Sequence, residues 1–88
     1  MEHRVLMYSR QRCHLCDDAR AALMAVRGSV PFHFEEVDID SDDVLVKEYG
    51  IRIPVVLVDG EELFEYRVDV GALEEVLSQG RARPFLPK

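Results

Sequence analysis

The chain has no long hydrophobic run. Its longest apolar stretch without proline, Ala21 to Val26, is far short of a bilayer span, and Val5 to Met7 is too brief for the core of a signal peptide. Membrane insertion and export are therefore not expected, and a cytoplasmic protein is. Cysteine is scarce as well: Cys13 and Cys16 cannot build the multi-bridge framework of a small secreted domain. Positive charge is in the minority, with eleven Lys and Arg against seventeen Asp and Glu, so a general electrostatic grip on nucleic acid has little support. At 88 residues the chain is too short to divide into two units that each bury a core.

What is present reads as one globular domain, with 48% hydrophobic and 32% charged residues. The domain is expected over residues 1–80, and residues 81–88, with two prolines and no periodicity, form a C-terminal tail. The tail's Phe85 and Leu86 are placed either on a partner or back against their own domain. A monomer is expected. The charge is uneven: residues 1–27 carry five Arg against Glu2, Asp17 and Asp18, whereas residues 35–50 carry seven acids against Lys47 alone. The surroundings of the cysteines are thus locally basic.

His3 to Ser9 is a mostly apolar run of strand length (β1), and apolar positions Leu15, Ala19, Ala22, Leu23 and Val26 then recur at helical spacing up to Gly28. That predicts a helix from about Cys13 to Arg27 (α1). Phe32 to Ile39 reads as a second strand (β2), and Ser41 followed by Asp42 and Asp43 reads as the start of a short helix (α2) that stops at Tyr49-Gly50. Val55 to Asp59 (β3) and Glu62 to Arg67 (β4) flank the tight-turn pair Asp59-Gly60 and form an antiparallel hairpin. Asp69 caps a last helix (α3) with Val70, Leu73, Val76 and Leu77 on one stripe and Gly80 near its end. The order βαβ-α-ββ-α is that of an α/β domain, a four-stranded mixed sheet flanked by helices.

Cys13-His14-Leu15-Cys16 follows a strand and opens a helix, the setting in which C-x-x-C reads as a redox motif. Free N–H groups and the positive dipole end of the helix favour a thiolate at Cys13, and Arg10 and Arg12 add positive charge. Cys16, nearly one turn on, is within reach of a mixed disulfide formed at Cys13. Asp17 and Asp18 oppose the activation, and His14 is a donor to the thiolate or a residue that tunes the disulfide's potential. Two other readings stay open: an inert helical pair, and half of a zinc site. His3, His14 and His33 offer no second pair at ligand spacing, so a zinc or iron–sulfur module would have to share the cysteines in a dimer.

The run Val5 to Cys16, with its strand, basic residue and C-x-x-C, together with Ile53-Pro54 downstream, resembles glutaredoxins over residues 3–79. The nearest resemblance is to small glutaredoxin-like proteins with a Cys-His-Leu-Cys site. It implies a thioredoxin-like fold with sheet order β2-β1-β3-β4 and a thiol–disulfide oxidoreductase acting on disulfide-containing proteins, with no tightly bound cofactor and no metal. It implies that Cys13 attacks, that Cys16 resolves, and that a cis Ile53-Pro54 bond lets Ile53 hold a peptide or glutathione in line with Cys13. Arg10 matches a lysine that meets a glutathione carboxylate. Before the last helix, however, the family's glycine pair is replaced within Glu65-Tyr66-Arg67-Val68-Asp69, of which only Asp69 is kept. Glu65 is expected to repel an anionic ligand. Tyr66-Arg67-Val68-Asp69 instead resembles redoxins that accept electrons from thioredoxin reductase, so Arg67 becomes a docking candidate and the donor is either glutathione or that reductase.

Overall fold

Along β1 (His3–Ser9) every second residue is buried, because alternate side chains of a strand point to opposite faces. In the computed structural model, which describes residues 3–78, this strand lies at the centre of a four-stranded sheet of order β2-β1-β3-β4. β2 (Phe32–Asp38) runs parallel to it, and β3 (Val55–Val58) and β4 (Glu61–Glu65) continue antiparallel on the other side. Gly80 and the tail with Phe85 and Leu86 lie outside the described residues.

One face of the sheet carries the main core. Val5 and Met7 of β1, Phe32 of β2, and Val56 and Val58 of β3 pack with Ala19, Leu23 and Val26 of α1 (His14–Arg27) and Leu73 and Leu77 of α3 (Val70–Ser78). The β3–β4 register shifts between Val56 and Leu57, which leaves Leu63 as an extra residue and turns both Leu63 and Phe64 towards this core. On the other face α2 (Asp43–Tyr49) buries none of its own residues, yet its Tyr49 ring stacks on Tyr8 of β1 at 4.3 Å between centroids.

Several expected boundaries move, each because a side chain or a backbone angle intervenes. β2 ends at Asp38, whose carboxylate accepts the Asp40 N–H, and Ile39–Ser41 form a 3₁₀ turn. The N-cap of α2 is Asp42 and not Ser41: Asp42 Oδ1 accepts the Val44 N–H at 2.8 Å, while the Ser41 hydroxyl donates to the Asp38 carbonyl. β4 stops at Glu65 rather than Arg67, because Tyr66 takes a φ of 67° and turns the chain. Val70 stands 38% exposed, outside the apolar stripe of α3. At the hairpin, Asp59 (φ 51°) and Gly60 (φ 90°) supply the two left-handed residues that a two-residue turn between twisted strands requires.

Candidate active site

The end of β1 delivers the chain to the start of α1, and the cysteines sit at that junction. Arg12, in a left-handed conformation (φ 57°), redirects the backbone so that Cys13, expected as the first helical residue, becomes the N-cap and the helix begins at His14. The Cys16 N–H donates to Cys13 Sγ at 3.1 Å, and the Asp17 N–H donates to the Cys13 carbonyl at 3.0 Å. The sulfur therefore occupies the place where a helix offers unpaired N–H groups and positive potential. Cys13 and Cys16 are joined in a disulfide with Cα atoms 5.2 Å apart. Their surroundings differ sharply: Cys16 is fully buried, at 0% exposure, and Cys13 is only partly covered.

The charges around this junction are paired in ways that local spacing hides. Arg10 holds Asp40, with Nη2 to Oδ1 at 2.5 Å and Nε to Oδ2 at 3.3 Å. Arg20 reaches Glu36 through Nε and Nη2 and Asp17 through Nη1, and the Ser9 hydroxyl donates to Glu36 as well. Arg20, helped by Ser9, holds the Glu36 carboxyl below the ordinary glutamate range against the effect of its burial. Asp17, expected to oppose thiolate formation, is thus partly neutralised by Arg20, whereas Asp18 has no ion-pair partner among the described residues. Arg12 and His14 are exposed, and neither side chain has a partner among the described residues.

Across from α1 the turn after β4 completes the site. Leu15, Ala19, Ala22 and Val68 floor a groove of about 270 Å³ with Asp18, Tyr66 and Arg67 around it. Arg67 is exposed, and its side chain has no partner among the described residues. Asp69 acts as a cap, its Oδ1 accepting the Ala72 N–H at 3.1 Å. Glu65, expected to repel an anion, is bound by Arg52, which also pairs with Glu62 and Glu48 and lies over the Tyr49 ring. The Ile53-Pro54 bond is cis. The Pro54 carbonyl accepts the Tyr66 N–H at 2.8 Å, and the Tyr66 hydroxyl donates to the Ile51 carbonyl at 2.9 Å, which ties this segment to the turn after β4. Ile53 itself is half-buried, and its backbone has no hydrogen bond among the described residues.

Asp40, Arg20, Arg52 and the Tyr66 hydroxyl were not singled out from the sequence. The Asp17-Arg20 and Glu48-Arg52 spacings offered a signal for two of them, whereas the other partners come from separate elements. No cluster of three or more His, Cys, Asp or Glu side chains suited to a metal ion occurs among the described residues.

Comparison with known proteins agrees with this geometry. The profile of the glutaredoxin-like domain (DUF836) matches residues 4–78. The crystal structure of target protein XcR50 from X. campestris is similar at 37% identity and a TM-score of 0.71, covering 85% of this chain and 96% of that one. The solution structure of Ne2328 from Nitrosomonas europaea aligns at 28% identity and a TM-score of 0.77, over 88% and 93% of the two chains. A thioredoxin variant from Halobacterium salinarum, 19% identical with a TM-score of 0.65 over 98% of this chain and 79% of that one, shares the thioredoxin-like fold. Comparison with curated proteins gave no match.

Proposed function

The chain belongs to the glutaredoxin-like domain family, and on that premise we propose that it is a thiol–disulfide oxidoreductase working through Cys13 and Cys16. The observation that carries this reading is the asymmetry of the pair: one sulfur is partly accessible at a helix N-terminus, and the other is sealed beneath it. In the reduced protein the Cys13 thiolate attacks a substrate disulfide, forms a mixed disulfide and expels one substrate sulfur as a thiolate. Cys16 then attacks Cys13 Sγ, which releases the second substrate thiol and restores the internal disulfide. Two electrons and two protons pass to the substrate. His14, next to Cys13 at the first turn of α1, is the donor to the Cys13 thiolate, and Ile53, with both backbone groups open, pairs with an extended stretch of the substrate protein.

The reading includes a monomer in the cytoplasm without a tightly bound cofactor. It takes thioredoxin reductase rather than glutathione as the better electron donor. Arg10 is engaged by Asp40, Asp69 serves as a helix cap and Tyr66 replaces a glycine, whereas Arg67 is open for docking.

In the reduced protein Cys13 is expected to be alkylated at least tenfold faster than Cys16 at neutral pH, as measured by mass spectrometry of timed samples. Cys13→Ser abolishes turnover, and Cys16→Ser accumulates a mixed disulfide with the substrate protein. Equal alkylation of the two, or turnover by the Cys13 variant, would sink the assignment. A bound metal or cluster in the untagged protein, found by optical spectrum and metal analysis, would favour the cysteine-sharing dimer instead.

A further inference from the structure

The polar depression ahead of Cys13, about 360 Å³ and lined by Arg10, Arg12, Asp17, Arg20 and Glu36 among others, contains more charge than it offers to a partner. Arg20 is taken up by Glu36 and Asp17, and Arg10 is gripped through two nitrogens by Asp40. Arg12 has no partner among the described residues. Asp40 is presented to Arg10 by a built turn. Its own N–H donates to Asp38 Oδ1 at 2.9 Å, and the Ser41 hydroxyl donates to the Asp38 carbonyl at 2.7 Å. Arg10 stands three residues before Cys13, so their Cα atoms are within about 11 Å of each other. Arg10 lines one depression with Arg12, the residue next to Cys13, so a charge left uncancelled on Arg10 acts on an anion drawn into that depression, over a screening length of about 10 Å at 0.1 M salt.

We infer that Asp40 is an internal counterion that sets the charge selectivity of the Cys13–Cys16 site, lowering its preference for anionic reaction partners by cancelling Arg10. This rests on the redox reading above. The step affected is the opening of the disulfide. An external thiolate bonds to Cys13 Sγ, the Cys13–Cys16 bond breaks, and Cys16 leaves as a thiolate that takes a proton from water. A second external thiol then completes the two-electron reduction. An anionic thiol approaching Cys13 meets Arg12 and the helix N-terminus but a neutralised Arg10. The pair is half in water, with side chains 35% and 49% exposed, and the turn's own hydrogen bonds do not use the Asp40 carboxylate, so removing that acid keeps the turn and leaves the guanidinium answered only by the charge of Asp38, with which it makes no hydrogen bond.

The test measures rate constants for opening the oxidised protein by glutathione, 2-mercaptoethanol and cysteamine, thiols of net charge −1, 0 and +1. Asp40→Asn should raise the glutathione-to-cysteamine rate ratio roughly three- to tenfold at low ionic strength, and the rise should shrink with salt. Asp40→Glu should restore the original ratio, and Arg10→Gln added to Asp40→Asn should remove the gain. Asp40→Ser serves the same purpose if the asparagine variant loses its circular dichroism. An unchanged ratio in a folded Asp40 variant, or a gain that survives Arg10→Gln, overturns the counterion role while leaving the redox reading intact. Failure of all three thiols to open the wild-type disulfide overturns both.

Discussion

Tyr66 sits where side chains seldom do. Its φ of 67° is a conformation that costs an L residue about 1–2 kcal/mol relative to the right-handed region, yet its N–H and hydroxyl both find carbonyls, those of Pro54 and Ile51. The resemblance to glutaredoxins places glycine in this stretch, and here the chain keeps a glycine-like backbone turn without the glycine. Tyr66→Gly is therefore expected to be more stable than Tyr66→Ala by about 1 kcal/mol in urea unfolding, the reverse of the order in an ordinary helix or strand. Equal stability of the two would deny the strain. This feature was not legible in the sequence, because a missing glycine reads as a missing turn until the backbone angle is known. The ion pair of Glu65 was hidden for a related reason: Arg52, which it shares with Glu48 and Glu62, stands thirteen residues away and meets it only after the sheet has formed.

At the scale of the elements, periodicity was a sound guide wherever a face is buried. The bounds of β1 and the body of α1 follow directly from alternating and helical spacing, since burial of Val5, Met7, Ala19, Leu23 and Val26 enforces both patterns. Periodicity failed where only a cap decides. Ser41, Asp42 and Asp43 are all competent helix starters, and the structure selects Asp42 because Ser41 is committed to closing the preceding turn. Asp42→Ala should consequently destabilise the protein by about 1 kcal/mol in chemical denaturation, and Ser41→Ala by less. A larger loss from the serine variant would return the cap to Ser41. The central cysteines were legible as chemistry from their spacing and from the elements around them, and the Ile53-Pro54 pair through the resemblance to glutaredoxins. Their partners were not, since Asp40 lies thirty residues from Arg10.

Over the whole molecule the charges bear on acid stability. Burial pushes the Asp59 carboxyl up, but the Arg4 N–H and the His3 side chain together outweigh it and leave it below the ordinary aspartate range. Glu36 is likewise held down, chiefly by Arg20. For both groups the unfolded chain binds protons more readily, so their contribution is complete above the ordinary carboxylate range and is lost as pH falls through the lower folded values. The melting temperature should hold steady from neutrality down to that range and then drop. Asp59→Asn should make the acid drop shallower in melts compared across pH, and an unchanged slope would remove Asp59 from the account.

His3 is the one imidazole among the described residues that is buried. Its Nδ1 meets Asp59 Oδ2 at 2.6 Å at the hairpin tip, and its Nε2 meets the carbonyl of Leu77 at 3.0 Å, so the first and last described elements close on a single ring. β1 then runs seven residues from this ring towards the cysteines, a length of about 20 Å. Both ends of the described fold therefore emerge at the pole opposite the reactive sulfurs. A fluorophore placed on the exposed Ser78, next to Leu77, inherits that geometry and sits at the far end of β1 from the disulfide.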